Sequence, residues 1–107
     1  MSQKRELFRM AIDRAGHIQR GAENVPCRIV DVTQKGVRLR VEGAFSPGDL
    51  LDLEFALTKR ASITCTVKVT FARPPLVGAV IVDMSSHDQT LLANFIDEMN
   101  AINLTGF

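Results

Sequence analysis

From Ile63 to Phe71 every second residue is apolar (Ile63, Cys65, Val67, Val69, Phe71), with Thr64, Thr66, Lys68 and Thr70 between them. Successive side chains of a strand point to opposite faces, so this run can present a single apolar face only as a β-strand. The same period recurs at Val37, Leu39 and Val41, set against Arg38, Arg40 and Glu42. It returns at Leu51, Leu53, Phe55 and Leu57, set against Asp52, Glu54 and Ala56. Residues 17–20 and 26–32 are two further β-prone runs, separated by Gly21-Ala22-Glu23-Asn24. Residues 77–82 are apolar throughout around Gly78, the pattern of a strand covered on both faces. Ser46-Pro47-Gly48-Asp49 reads as a turn, with Pro fixing φ and Gly48 able to take positive φ. Arg73-Pro74-Pro75 ends the longest run, because proline has no N–H to give to a ladder.

Near the C-terminus the period changes. Leu91, Leu92, Phe95, Ile96, Met99 and Ile102 fall at helical spacing and make one apolar stripe. Ser86-x-x-Gln89 has the form of a capping box, with Asp88 favourable in the first turn. The polar face is acidic (Asp88, Asp97, Glu98), which argues for a helix covering a core and against one lying on a membrane. Six short strands followed by one helix predict a small closed antiparallel barrel with the helix packed against it, a sandwich being the alternative. At 107 residues the chain is expected to form one domain and to bury about two thirds of its unfolded surface. A 46% hydrophobic composition excludes global disorder. No apolar run approaches a membrane span, and MSQKRELFRM lacks a signal-peptide core, so the expectation is a soluble cytoplasmic protein.

Several function classes fall away at once. Cys27 and Cys65 form no C-x-x-C, and both alternate with apolar residues, so buried small hydrophobes is the preferred reading. His17 and His87 join no ligand-type cluster, and no metal site is expected. No nucleophile elbow or Gly-rich phosphate loop is present, so no enzyme is expected. Tyr and Trp are absent, and Phe55, Phe71 and Phe95 fall on core faces by pattern, which leaves few rings for stacking single-stranded nucleic acid. Charge is uneven: residues 1–40 carry nine Lys/Arg against four acids, and residues 41–107 carry four against eight. That asymmetry points to an anionic partner for the first third, or else to strands with Arg on their wet face.

Two local patterns stand out. Arg5-Glu6-Leu7-Phe8-Arg9 is an R-x-x-x-R, a spacing that also suits an ordinary solvated helical turn. Asp31-Val32-Thr33-Gln34-Lys35-Gly36 is a [DN]-x-[ST]-x-x-G between two strands, which is also good hairpin chemistry with Gly36 at positive φ. In this order and separation the two motifs resemble the PilZ domain, the bacterial receptor for the second messenger cyclic di-GMP. The resemblance extends through Phe8, Pro47-Gly48, Val77-Gly78 and the C-terminal helix, nearly the whole chain. Thr33 stands where the family usually has Ser, Lys35 where many members have a second Gly, and Ile81 where many have Phe.

The resemblance implies a six-stranded antiparallel PilZ-type β-barrel with a C-terminal α-helix packed against it. Its parts would be a flexible ligand-binding arm over 1–10, a barrel over 15–84 and a helix over 86–103. It implies a non-enzymatic cyclic di-GMP receptor whose arm orders on binding and signals to a downstream protein of motility, secretion or polysaccharide synthesis. A PilZ-like protein–protein adaptor that binds no nucleotide is the alternative; a DNA- or RNA-binding barrel is not favoured, and monomer or homodimer stays open. Arg5 and Arg9 would grip phosphate or the guanine O6/N7 edge, a task suited to a planar fork. Asp31 would accept from the guanine Watson–Crick edge, Thr33 would donate to a phosphate oxygen, and Gly36 would let the backbone approach the ligand. Lys4 precedes the first motif arginine, where a basic residue goes with a stacked ligand dimer in this family. Lysine lacks the planar fork, so one or two ligands stay open.

Overall fold

The computed structural model describes residues 10–105, with side chains over 10–101. Six strands precede one helix: β1 (Met10–Arg20), β2 (Glu23–Val32), β3 (Gly36–Val41), β4 (Leu50–Ala56), β5 (Ser62–Arg73), β6 (Leu76–Met84) and α1 (Ser86–Thr105). They close into an antiparallel barrel in the order β1-β2-β3-β6-β5-β4, with β1 completing the ring against β4. The alternating residues fill its interior: Leu39, Leu51, Leu53, Phe55, Ile63, Val67 and Val69 are all buried. Cys27 and Cys65 are buried free thiols within the same core.

β1 begins at Met10, well before the run at 17–20 that the sequence signals. Its period is blurred by a register shift between Ala11 and Arg14 and by Ala15 and Gly16, which supply little apolar signal. Met10 is a buried strand residue, so it belongs to the barrel and not to an arm over 1–10, and the barrel starts before residue 15. The helix continues to Thr105, past the expected 103.

The helix is capped one residue earlier than Ser86-x-x-Gln89 suggests. Ser85 is the N-cap: its Oγ accepts the Asp88 N–H at 3.1 Å and its carbonyl accepts the Gln89 N–H at 2.9 Å. Asp88 instead ties the helix to the barrel by accepting the Thr64 N–H at 3.1 Å. Leu92, Phe95 and Ile96 bury the helical stripe in the barrel core. Arg14 braces this junction, donating from Nε to Leu57 O at 2.8 Å with its guanidinium 5.5 Å from the Phe95 ring centre.

The expectation that residues 77–82 are covered on both faces is not met. Val77 and Ala79 are buried, but Val80 and Val82 are 40% and 50% exposed. The barrel supplies one dry face only, and α1 does not cover the outer side chains of β6.

Candidate functional site

Two irregularities in the ladders create the site. Between β2 and β3 the register runs Ile29↔Leu39, then Asp31↔Arg38, then Val32↔Val37, so Val30 is an extra residue. Such a bulge reverses which face the following side chains take. Asp31 should fall inside with Cys27 and Ile29; instead it sits opposite Arg38 on the outer face, and Val32 takes the core position. Between β5 and β6 the register runs Val69↔Ala79, then Phe71↔Gly78, with Thr70 skipped. Phe71 therefore leaves the core face assigned to it by alternation and is 38% exposed. Arg38 in turn pairs with Gly78. The two bulges thus align Asp31, Arg38, Gly78 and Phe71 in one row across four strands.

Each member of the row is held. Arg38 donates from Nε to Asp31 Oδ2 at 2.8 Å, and its Nη2 lies 2.8 Å from the same oxygen. Asp31 is the buried charged residue among those described, and the charged hydrogen bonds from Arg38 offset the cost of burying its carboxylate. Gly78 is required by packing, since a Cβ there would overlap the Phe71 ring. The Thr70 hydroxyl donates to Gly78 O at 3.2 Å.

The turn between β2 and β3 forms one end of the site. Thr33 Oγ1 accepts the N–H groups of Lys35 at 3.0 Å and Gly36 at 2.9 Å, and the Thr33 N–H donates to Gly36 O at 2.8 Å. The hydroxyl proton finds only Gly36 O at 3.5 Å within the described chain, which leaves it able to donate elsewhere. Lys35 O accepts the Ile81 N–H at 2.7 Å, pinning the turn to β6. Gly36 does not adopt positive φ; among the described residues Gly21, Gly43 and Gly48 do. Its constraint is close approach to β6, because a Cβ would lie 2.9 Å from Ala79 O.

Together these residues line a groove of about 320 Å³ that includes Asp31, Thr33, Lys35, Gly36, Arg38, Phe71 and Gly78. A larger hollow of about 610 Å³ lies beyond Lys35, between β6 and α1, and contains none of Asp31, Thr33, Arg38 or Phe71. The groove therefore offers a recessed carboxylate, a guanidinium, an ammonium, a hydroxyl and an aromatic face. That set suits a ligand with N–H donors, a flat ring and negative charge.

The basic first third divides into two groups. Arg14 is committed to Leu57 O and Phe95, Arg20 to Ala44 O, Glu23 and the Phe45 ring, and Arg28 to Asp13. Lys35 and Arg38 face the groove, and Arg40 is exposed on β3. Of the site residues expected from sequence, Asp31, Thr33 and Gly36 come together; Lys4, Arg5 and Arg9 lie outside the described residues. Phe71 was missed, and alternation could not have found it. Burial raises both thiols, Cys27 to about 11 and Cys65 to about 12, the latter helped by Asp88 and Asp52, so neither is a nucleophile for this groove. Among the described residues no cluster of His, Cys, Asp and Glu could hold a metal ion, and no helix is long and apolar enough to cross a membrane.

The family model described as the PilZ domain matches residues 3–98. The chain belongs to the PilZ family. No curated protein sequence matches it. Among solved structures, the Bacillus subtilis inhibitor of motility MotI/DgrA superposes with a TM-score of 0.80 at 17% identity, over 94% of this chain and 52% of that one. The K. pneumonia MrkH–c-di-GMP complex gives 0.79 at 14% identity, over 99% and 56%. The PilZ domain of Escherichia coli YcgR with c-di-GMP gives 0.75 at 13% identity, over 97% and 98%. This PilZ chain spans about half the length of the first two and nearly all of the third.

Proposed function

We propose that this PilZ protein is a non-enzymatic receptor for cyclic di-GMP that passes its signal to a downstream protein. The observation that carries the reading is the register at the root of β1. Met10 pairs with Val32 and Ala11 with Asp31, so the chain bearing Arg5 and Arg9 joins the barrel at the edge that holds Asp31 and Thr33. One anionic dinucleotide can thus meet both motifs. Asp31 accepts from a guanine edge, the Thr33 hydroxyl donates to a phosphate oxygen, and Lys35 adds a second cation. Phe71 offers a ring face to a base. Arg5 and Arg9 supply bidentate donors to phosphate or guanine. The likeness to MrkH and the YcgR PilZ domain, both solved with c-di-GMP, supports the same ligand class. Ordering of the N-terminal segment on binding would change the surface shown to a partner.

The test is isothermal titration calorimetry with cyclic di-GMP, with GTP and cyclic di-AMP as controls. Saturable heat with cyclic di-GMP alone is expected, and its stoichiometry decides between one and two ligands. Arg9→Ala should abolish that heat while circular dichroism stays that of the parent; parent-like binding by this variant would sink the mechanism. The exposed Leu50, Val80 and Val82 favour the second reading, an adaptor that binds a protein and no nucleotide. A folded parent chain giving no heat would select it.

A further inference from the structure

We propose that the outer face of β4, β5 and β6 is a self-association surface, which takes a second copy of this chain about a two-fold axis. Among the described residues the large hydrophobic side chains left exposed are Leu50, Phe71, Val80 and Val82, and all of them come from these strands. Such clustering on one side of a small barrel marks a contact surface. The registers set the outward side chains in successive rows. Asp52, Thr66 and Asp83 form the first. Leu50, Lys68 and Val80 form the second, with Val82 bulging from β6 between the two. Phe71 and Gly78 form the third, continued on β3 by Arg38. Arg73 and Leu76 form the fourth, continued on β3 by Arg40. The face is therefore acidic at one end, apolar across the middle and basic at the other. Asp52, Asp83, Lys68, Arg40 and Arg73 enter no ion pair within the described chain, whereas Arg38 is already neutralised by Asp31.

This order of rows is complementary to its own reverse. A two-fold axis running across the strands, between the second and third rows, lays the acidic row of one copy on the basic row of the other. The same operation lays Leu50 and Val80 of one copy on the Phe71 row of the other. β5 then crosses β5, so Lys68 of each copy meets the Phe71 ring of the other. Arg73 falls between Asp52 and Asp83 of the other copy, and Arg40, one strand beyond β6, reaches toward Asp83. The apolar rows supply the affinity, and the charged rows fix which way round the copies meet. A two-fold contact of this kind uses the same face on both copies, so it closes at a dimer. The surface measures roughly 20 Å by 15 Å, the small end for specific contacts, which makes the pairing reversible.

The test is sedimentation velocity without nucleotide, over a dilution series from micromolar to millimolar protein, so it stands apart from the receptor reading. The parent is compared with two charge-reversed variants. Asp52→Lys/Asp83→Lys makes both ends of the face basic, and Arg40→Glu/Arg73→Glu makes both acidic. The parent should dimerise reversibly. Each variant alone should pair about tenfold or more less tightly, because like charges now meet at both ends. Mixed in equal amounts, the two variants should pair at least as well as the parent, since every basic end again meets an acidic one. That recovery would also show that neither variant has misfolded. A parent chain that stays monomeric throughout the series would overturn the inference. So would a dimer that both variants form as readily as the parent, or a mixture of variants, each folded by circular dichroism, that recovers no pairing.

Discussion

Along β4 and β5 the register runs unbroken from Leu50↔Lys68 to Ala56↔Ser62. Leu51, Leu53, Phe55, Ile63, Cys65 and Val67 all point inward, while Asp52, Glu54, Thr64 and Thr66 stay outside. On the far wall β2–β3 skips Val30 and β5–β6 skips Thr70 and Val82, and at Val30 and Thr70 a carboxylate and a phenyl ring leave the positions that alternation gives them. The regular wall stabilises the barrel. The bulged wall gives up part of that regularity and gains a groove with chemistry in it. A strand's period is therefore a good guide to packing and a poor one to a site, because the site lies where the period is interrupted.

The sharpest way to separate the two walls is a pair of phenylalanine truncations. Phe55→Ala removes a fully buried ring and should cost about 3–5 kcal/mol in denaturant unfolding. Phe71→Ala should cost only about 1 kcal/mol of stability, because its ring is partly solvated already. It should instead weaken cyclic di-GMP by roughly tenfold, the low-to-middle range for loss of one stacking partner. Equal stability losses would mean that Phe71 is a core residue after all.

The dryness of the barrel interior can be read through its thiols. Burial raises Cys27 to about 11 and Cys65 to about 12, above the ordinary thiol value that both regain on unfolding. Above pH 9 the unfolded chain then binds fewer protons than the folded one, so stability falls as pH rises. The loss should reach about 2–3 kcal/mol by pH 10. The chain has no tyrosine to titrate in the same window. Chemical unfolding of the parent and of Cys27→Ala/Cys65→Ala at pH 7 and pH 10 checks this; an equal alkaline loss in both would remove the thiols as its cause.

A smaller effect probes the bulged wall directly. Gly36→Ala should cost about 1–3 kcal/mol, because its new methyl meets the Ala79 carbonyl, a backbone atom with little room to yield. A neutral result would show that β3 and β6 can separate without penalty.

Much of this was legible in the sequence. Apolar alternation located β3, β4 and β5, a β-prone run and a continuously apolar run located β2 and β6, and the change of period located α1. Their motif singled out Asp31, Thr33 and Gly36, which the structure sets around one groove, although Gly36 serves a close strand approach where positive φ was expected. The first half of β1 was hidden because a register shift and small residues dilute its pattern. Phe71 and the Asp31–Arg38 pairing were hidden for a related reason. A bulge is a mismatch between two strands, and neither strand alone records that its partner is one residue short. Val80 and Val82 look like core because composition cannot say that no element covers them.

The ring of six strands has one more implication. Among the described residues every strand has a hydrogen-bonded neighbour on both sides over part of its length, so no strand offers a whole open edge for another chain to extend. Recruitment by extending a whole strand edge is thereby closed, and crowding finds little open edge on which to polymerise these barrels. Contact with a partner then falls chiefly to side chains on the barrel's outer skin. The scaffold is in effect a stiff hub, and any change it transmits has to be made at its rim.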